Sequence, residues 1–315
     1  MNPEETFDAT NGNGHAAAPH ESPAHAAPVE IRMRARIHAF EDALARAQSG
    51  DDPDALHDLR VAARRLTEFL RVWRSLIPAR CLRRIARDVC ALRRRAGRAR
   101  DLEVRVELLR ERLECLEEPD EHALRHLAAL EARLERRRHR AGKRMDSQRG
   151  RRVLARLAEA EQAMSRDLLS HLQAFEVAHA RVEERRVTAI EAVRASLETE
   201  DDACLQRARI AIKKWRYAVE CLGESRNGTA FKLDSLRDLQ EVMGSLLDGA
   251  ALRLALVKHL GPAGRGAAHT LPRIIEDLDL DRPGQLERFR ALGSRLLHAA
   301  AQSPPDRAPA LAGAR

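Results

Sequence analysis

The sequence predicts an all-α fold built from a duplicated four-helix unit, and three observations predict it. Charged residues make up 33% of the 315 residues and aromatics only 3%, with Arg, Ala, Leu and Glu abundant and β-branched residues sparse. That mixture favours helix. Gly, Pro and Asn-Gly punctuation divides the chain into long segments of 3.6-residue apolar periodicity. The chain also repeats: Leu56-His57-Asp58-Leu59-Arg60-Val61-Ala62-Ala63-Arg64-Arg65-Leu66 aligns with Leu205-Gln206-Arg207-Ala208-Arg209-Ile210-Ala211-Ile212-Lys213-Lys214-Trp215 at an offset of 149 residues. Leu92, Gly97 and Asp101 align with Leu239, Gly244 and Asp248 at an offset of 147. Two matches at nearly one offset describe a duplication.

Residues 1–28 carry Ala, Pro, Asn, Gly and His without apolar periodicity and are expected to be a disordered tail. Helices are predicted at 30–48, 54–77, 79–117, 120–145, 150–199, 201–223, 229–260 and 283–302. Ser49-Gly50-Asp51-Asp52-Pro53 separates the first two, with Asp51 or Asp52 as the cap region of the second. In that second helix Leu59, Leu66, Leu70 and Ile77 form the core stripe, with Trp73 beside it. Ile77-Pro78, Glu118-Pro119, Asn227-Gly228 and Gly261-Pro262-Ala263-Gly264 end later segments. Residues 303–315 are expected to be a second disordered tail. The folded part is then 29–302, with repeat one at about 29–147 and repeat two at about 148–302.

Charge is the strongest functional signal. Lys and Arg total 56 against 48 Asp and Glu, a net +8. Residues 57–105 alone hold a net +10 and residues 133–156, which include Arg140 and Arg149, a net +9, leaving −11 for the remainder. Segregation on this scale points to a polyanionic partner. On the second helix Arg60, Arg64, Arg71, Arg74 and His57 share an arc of roughly 100°. On the third, Arg80, Arg83, Arg94, Arg98 and Arg105 fall within about 40° of Arg87. The second repeat aligns Arg209, Lys213 and Arg216, with Gln206 in the place of His57 and Glu220 weakening the face. Arginine suits phosphate because its planar fork donates two parallel charge-assisted hydrogen bonds.

Other chemistry is thin. No apolar run reaches the ~18 residues of a membrane span, and no secretory leader follows Met1, so a cytoplasmic protein is expected. Cys81, Cys90, Cys115, Cys204 and Cys221 form no C-x-x-C. His122 and His126 stand at i, i+4, the spacing of two zinc ligands, but lack the H-E-x-x-H base and a third ligand. Helix breaking and capping is the simplest reading of Asp101 and Asp248. The sequence predicts no cofactor, no metal and no catalytic residue. A nucleic-acid-binding protein is the alternative function, disfavoured because nine aromatics leave few platforms for stacking bases.

His57-x-x-Arg60-Val61-x-x-Arg64-Arg65-Leu66, with its copy Arg209-Ile210-x-x-Lys213-Lys214-Trp215-Arg216-Tyr217, resembles the paired signatures of CHAD domains, the conserved histidine α-helical domains. Gly97-x-x-x-Asp101-Leu102 and Leu239-Gln240-x-x-x-Gly244-x-x-x-Asp248 extend the likeness over roughly residues 29–302. The resemblance implies two pseudo-twofold-related four-helix bundles whose basic central surface binds inorganic polyphosphate, and the few acids in residues 57–105 (Asp58, Glu68, Asp88, Asp101 and Glu103) predict binding without turnover. It also implies residence on polyphosphate granules, with other granule proteins as further partners. The site residues expected from these basic faces and blocks together with the paired signatures are His57, Arg60, Arg64, Arg71, Arg74, Arg83, Arg87, Arg94, Arg98, Arg140, Arg149, Arg209, Lys213 and Arg216. Two departures stand out: Gln206 replaces the histidine of the second signature, and Thr67-Glu68 replaces the arginine often found after the leucine of the first.

Overall fold

The computed structural model describes residues 28–49, 52, 54–145, 148–164, 168–199, 201–222, 230–261 and 269–302. Both predicted tails, apart from Pro28, lie outside these residues, as do the turns at Asn227-Gly228 and Pro262-Ala263-Gly264. The described residues are helical, with no strand among them. The helices are α1 (Val29–Ser49), α2 (Ala55–Val72), α3 (Ala79–Glu114), α4 (Glu121–Met145), α5 (Gln148–Gln162), α6 (Leu168–Thr199), α7 (Asp202–Leu222), α8 (Ala230–Leu260) and α9 (Thr270–Gln302).

The apolar periodicity becomes the core directly. In α1, Val29, Met33, Ile37, Phe40, Leu44 and Ala47 are buried at three- and four-residue spacing. In α7 the same spacing buries Leu205, Ala208, Ile212, Trp215 and Val219. Gly261 closes α8 in the left-handed region, at φ 56°, where a side chain would strain the turn. Asp201 caps α7 by accepting the backbone N–H groups of Ala203 and Cys204 at 3.1 and 3.2 Å.

Three predicted helix boundaries are corrected. Helix 54–77 ends at Val72, and Arg74–Leu76 form a single 3-10 turn. The segment 150–199 is two helices, α5 and α6, interrupted where no Gly or Pro marks the chain. The helix expected at 283–302 starts at Thr270 and runs through Pro283. Proline frees the carbonyl four residues back, here that of Asp279. Both Asp279 and Pro283 are exposed, so water can satisfy that oxygen without breaking the helix. The cap region of α2 is also resolved: Asp54 occupies the cap position with no side-chain bond, while Asp52 Oδ1 accepts the Asp54 N–H at 2.8 Å. Asp51 lies outside the described residues.

One apolar cluster joins α1, α2 and the first half of α3 to α5 and to Ala174 and Ala178 of α6. A second joins the later part of α6 to α7, α8 and α9. A third, with Leu109, Leu113, Leu252, Leu256, Leu271 and Ile274, ties the ends of α3 and α8 to the start of α9. Between the first two, α2 packs on α7. Trp73 fastens that junction. It is fully buried, meets Phe175 edge-on at 4.9 Å between centroids, and donates its Nε1–H to the Cys221 carbonyl at 3.2 Å. Cys221 lies in the last turn of α7, where carbonyls have no partner within the helix. Arg32 Nη1 donates to the same oxygen at 3.0 Å.

Asp120 organises the opposite end. Its Oδ1 accepts Ala123 N–H of α4 at 2.8 Å, and its Oδ2 accepts His269 and Thr270 N–H at 3.0 and 2.9 Å at the start of α9. Partial burial pushes this carboxyl up, but the donated amide hydrogens outweigh that and hold it at about 2. A carboxyl held below its ordinary value contributes stability above pH ~4 that is lost as pH falls through ~2. Asp120→Ala is expected to cost about 1 kcal/mol for each of the two caps at pH 6. Melting curves should show the wild-type advantage shrinking toward pH 2; an advantage constant with pH would refute this linkage.

Candidate functional site

The aligned glycines and aspartates locate the site. Arg60 of α2 lies across α3, where its Nη1 donates to the Gly97 carbonyl at 2.9 Å and pairs with Asp101 at 3.4 Å. Arg209 of α7 lies across α8 and pairs with Asp248 at 3.5 Å. A Cβ on Gly97 would stand 3.4 Å from Arg60 Nη1, and one on Gly244 would stand 3.2 Å from Arg209 Nη2. The missing side chain makes room for a guanidinium flat against the neighbouring helix. Asp101 and Asp248 stand inside α3 and α8, so the breaking-and-capping reading is overturned. They are the carboxylate partners of these two arginines.

Beside these staples, α2 and α7 bring a cationic cluster together. Arg64 has its guanidinium pKa lowered first by burial and then by Arg60; Arg93 and Arg209 act in the same direction, and Tyr217 opposes. Lys213 is pushed down to about 7, by burial first and then by Arg209, Arg64 and Arg216, with Asp248 opposing. Arg216 lies over the Tyr217 ring at 4.8 Å and stands 3.9 Å from Glu220. The buried Nε groups of Arg209 and Arg216 have no hydrogen-bond partner. Glu220, the acid expected to weaken this face, is divided between Arg216 and Arg65, which it meets at 3.3 Å.

A cleft of about 1060 Å³ opens beside the cluster between α3 and α8, with His57, Arg209 and Lys213 on its wall. Seven carboxylates and seven Arg or Lys side chains line it, so the cleft as a whole is balanced. Several of those charges are already paired: Arg112 with Asp281 at 2.6 Å, Arg253 with Asp279 at 2.5 Å, Arg282 with Asp202 at 2.6 Å. The cationic excess is concentrated where Lys213 meets Arg64 and Arg209. His57 is lowered by burial first and then by Arg100, so near neutral pH it offers a hydrogen bond rather than a charge. Gln206 is exposed.

The remaining expected residues divide between paired and exposed. Arg71 meets the buried carboxylate of Glu68 at 3.3 Å. Arg74 leaves the arc predicted for it because α2 has ended; it is exposed in the 3-10 turn. Arg149 stands 3.9 Å from Asp88, which Arg156 also pairs. Arg83, Arg87, Arg94 and Arg140 are exposed. The side chain of Arg98 lies outside the described residues.

The α3 surface that meets Arg60 and the cleft is not the predicted ladder. Gly97 meets Arg60, and Arg100 and Val104 line the cleft, about 100° around the helix from Arg87. Arg93, on the same face one turn before Gly97, acts on Arg64. Gly97 gives that register in the sequence, because a helical glycine marks close approach. Arg93 was missed for want of this reference. Arg100 is paired, with Glu103 at 2.8 Å and Glu107 at 3.1 Å.

The Thr67-Glu68 departure is structural. Thr67 donates its hydroxyl to the Ala63 carbonyl at 2.6 Å. Glu68, 3% exposed, also accepts from Arg185 of α6 at 2.7 Å. Lys214 shares this neighbourhood: its pKa is lowered by burial first and then by Arg185 and Arg71, with Glu68 opposing. His122 and His126 gain a third imidazole, His259 of α8, with ring centroids 5.3 and 3.7 Å away. The rings overlap instead of converging on a point, and among the described residues no group of three such side chains could hold a metal ion. No helix among those residues is long and apolar enough to cross a membrane.

No curated protein matches the chain. Among solved structures, the crystal structure of the CHAD domain from the plant Ricinus communis is similar with a TM-score of 0.64 and 21% identity, over 87% of this chain and 93% of that one. PptA from Streptomyces chartreusis is similar with a TM-score of 0.59 and 19% identity, over 87% of this chain and 98% of that one. At these identities the likeness carries the fold. The CHAD domain family model matches residues 32–257, a span that contains both arginine–glycine–aspartate staples and the cluster between them. The chain belongs to the CHAD domain family.

Proposed function

We propose that this protein binds inorganic polyphosphate without turning it over, and that this binding places it on polyphosphate granules. The central cluster of Arg64, Arg93, Arg209, Lys213 and Arg216 is the primary contact. The observation that carries this reading is the surroundings of Lys213: three guanidinium groups press on it and Asp248 opposes them less strongly, in an otherwise charge-balanced cleft. Repeat one (about 29–147) supplies Arg64 and repeat two (about 148–302) supplies Lys213, so an anion between α2 and α7 engages both halves. Arg83, Arg87, Arg94 and Arg140 extend the positive surface outward along α3 and α4. His57 donates a hydrogen bond at the cleft edge. CHAD membership supports polyphosphate as the anion.

The aromatic side chains speak against nucleic acid. Trp73, Phe40, Phe69, Phe289, Trp215 and Tyr217 are buried, and Phe175 is held edge-on against Trp73. Among the described side chains of Phe, Tyr and Trp only Phe175 is exposed, which leaves bases a single ring to stack on.

Competition is the test: labelled polyphosphate against tRNA and duplex DNA at physiological salt, with affinity also followed from 50 to 200 mM salt. Polyphosphate should win. About five phosphate contacts should lose ~10²-fold in affinity across that salt range through counterion release. Preference for tRNA or DNA, or affinity flat with salt, would overturn the reading.

A further inference from the structure

We propose that the central cluster binds its phosphate together with a proton, taken up by Lys213, so that the polyphosphate is released as pH rises. The inference rests on the polyphosphate reading above and concerns the regulation of that same site.

The sequence repeat sets up the comparison. The position that carries Arg64 in the first repeat carries Lys213 in the second. A guanidinium stays charged at any physiological pH, whereas an ammonium gives up its proton when burial and like charges make the charged form costly. Lys213 sits where both act.

From its own helix, α7, Arg209 and Arg216 face it; from α2, Arg64, with His57 at the cleft edge; from α8, Asp248, with Glu241 farther along the wall; from α3, Arg100 and Glu107 across the cleft. Asp248 is the carboxylate that acts on Lys213, and it is already shared with Arg209 at 3.5 Å. Glu107 is likewise held by Arg100, at 3.1 Å. The immediate surroundings of Lys213 therefore hold more positive charge than the acids beside it neutralise. Beside Lys213, two buried N–H groups, Nε of Arg209 and of Arg216, have no acceptor.

In the empty site the least costly form of Lys213 is divided between amine and ammonium, consistent with its lowered value of about 7. A phosphate oxygen brings negative charge and hydrogen-bond acceptance together, which restores the ammonium. Binding then raises the lysine's pKa, and one proton enters from solvent as the anion docks. Affinity is greatest where Lys213 is already charged, below pH ~6, and falls through pH 7–9 as the empty site loses its proton.

The test is calorimetric titration of the full chain with long-chain polyphosphate, chosen so that its titrating end groups are few. Heats at pH 8 in HEPES and in Tris, whose ionisation enthalpies differ, give the protons taken up. With an empty-site value of about 7, the expected uptake is about 0.9 proton per binding event. Lys213→Arg should keep binding while losing both the uptake and the fall in affinity between pH 7 and 9. His57→Gln should keep the uptake, which separates the lysine from the nearby imidazole. Binding by the wild type without proton uptake, or full uptake in Lys213→Arg, overturns the proton-coupled mechanism and leaves the polyphosphate reading standing. Absence of binding by the wild type at any pH overturns both.

Discussion

Reversing the central pair, Arg64→Glu with Lys213→Glu, is expected to weaken polyphosphate binding about 10³-fold without unfolding the chain. Each residue loses a charge-assisted hydrogen bond worth about 1.5–3 kcal/mol and replaces it with repulsion. The fold tolerates the change because the introduced carboxylates enter a cluster with excess positive charge, among Arg60, Arg93, Arg209 and Arg216. The matched control is Arg83→Glu with Arg87→Glu on the exposed face of α3. There each arginine meets phosphate in full solvent, so affinity should fall by less than about tenfold. The salt slope should drop by about one for each phosphate no longer neutralised. Affinity and slope measured on both doubles decide between a central site and an outer track. A larger loss from the α3 pair would place the polyphosphate on the ladder predicted from the sequence.

Glu68→Ala is expected to be the most destabilising single change, at about 3–5 kcal/mol, because it strands buried positive charge. Arg185 at 2.7 Å and Arg71 at 3.3 Å both depend on this carboxylate, and Lys214 is nearby. For a chain of this size the loss corresponds to a fall in Tm of roughly 10 °C. Glu68→Gln keeps the shape and one acceptor and should fall between the two. Thermal melts at neutral pH report the order wild type, Gln, Ala. A drop below about 1 kcal/mol for the alanine variant would show that the arginines find water instead.

Much of the fold was legible. The buried positions of α1 are those that the 3.6-residue spacing selects, because a helix at the edge of a bundle hides one stripe. By contrast, α2 and α7 also bury other sides (Thr67, Glu68 and Phe69; Ala211, Tyr217 and Ala218) where they pack on each other and on further helices. The misread elements share a cause: local signals and tertiary structure disagree there. At the α5–α6 break nothing in the sequence interrupts periodicity, and at Pro283 a strong local stop signal is overridden because the freed carbonyl faces water. The site was half legible. Arg60, Arg64, Arg209 and Lys213 follow from the aligned repeat, and Gly97 and Gly244 from their shared offset. Arg93 did not follow, because the charge pattern of α3 centres on Arg87 and only the approach of Arg60 to Gly97 marks the face that touches α2.

The sequence by itself determined an all-helical chain, a repeat that aligns its basic residues, glycines and aspartates, and an excess of positive charge in the first half. These are properties of one helix, or of the chain read against itself, and a single periodicity exposes them. Only the tertiary structure decided which cations remain unpaired. Glu68 reaches Arg185 across 117 residues, Glu220 of α7 reaches Arg65 of α2, and Asp101 and Asp248 meet arginines from neighbouring helices. Neutralisation depends on distance in space and on burial, neither of which a helical wheel contains. That is why a row of apparently equivalent arginines resolves into staples, buried ion pairs, a solvated outer face and one cluster left with more charge than its acids can balance.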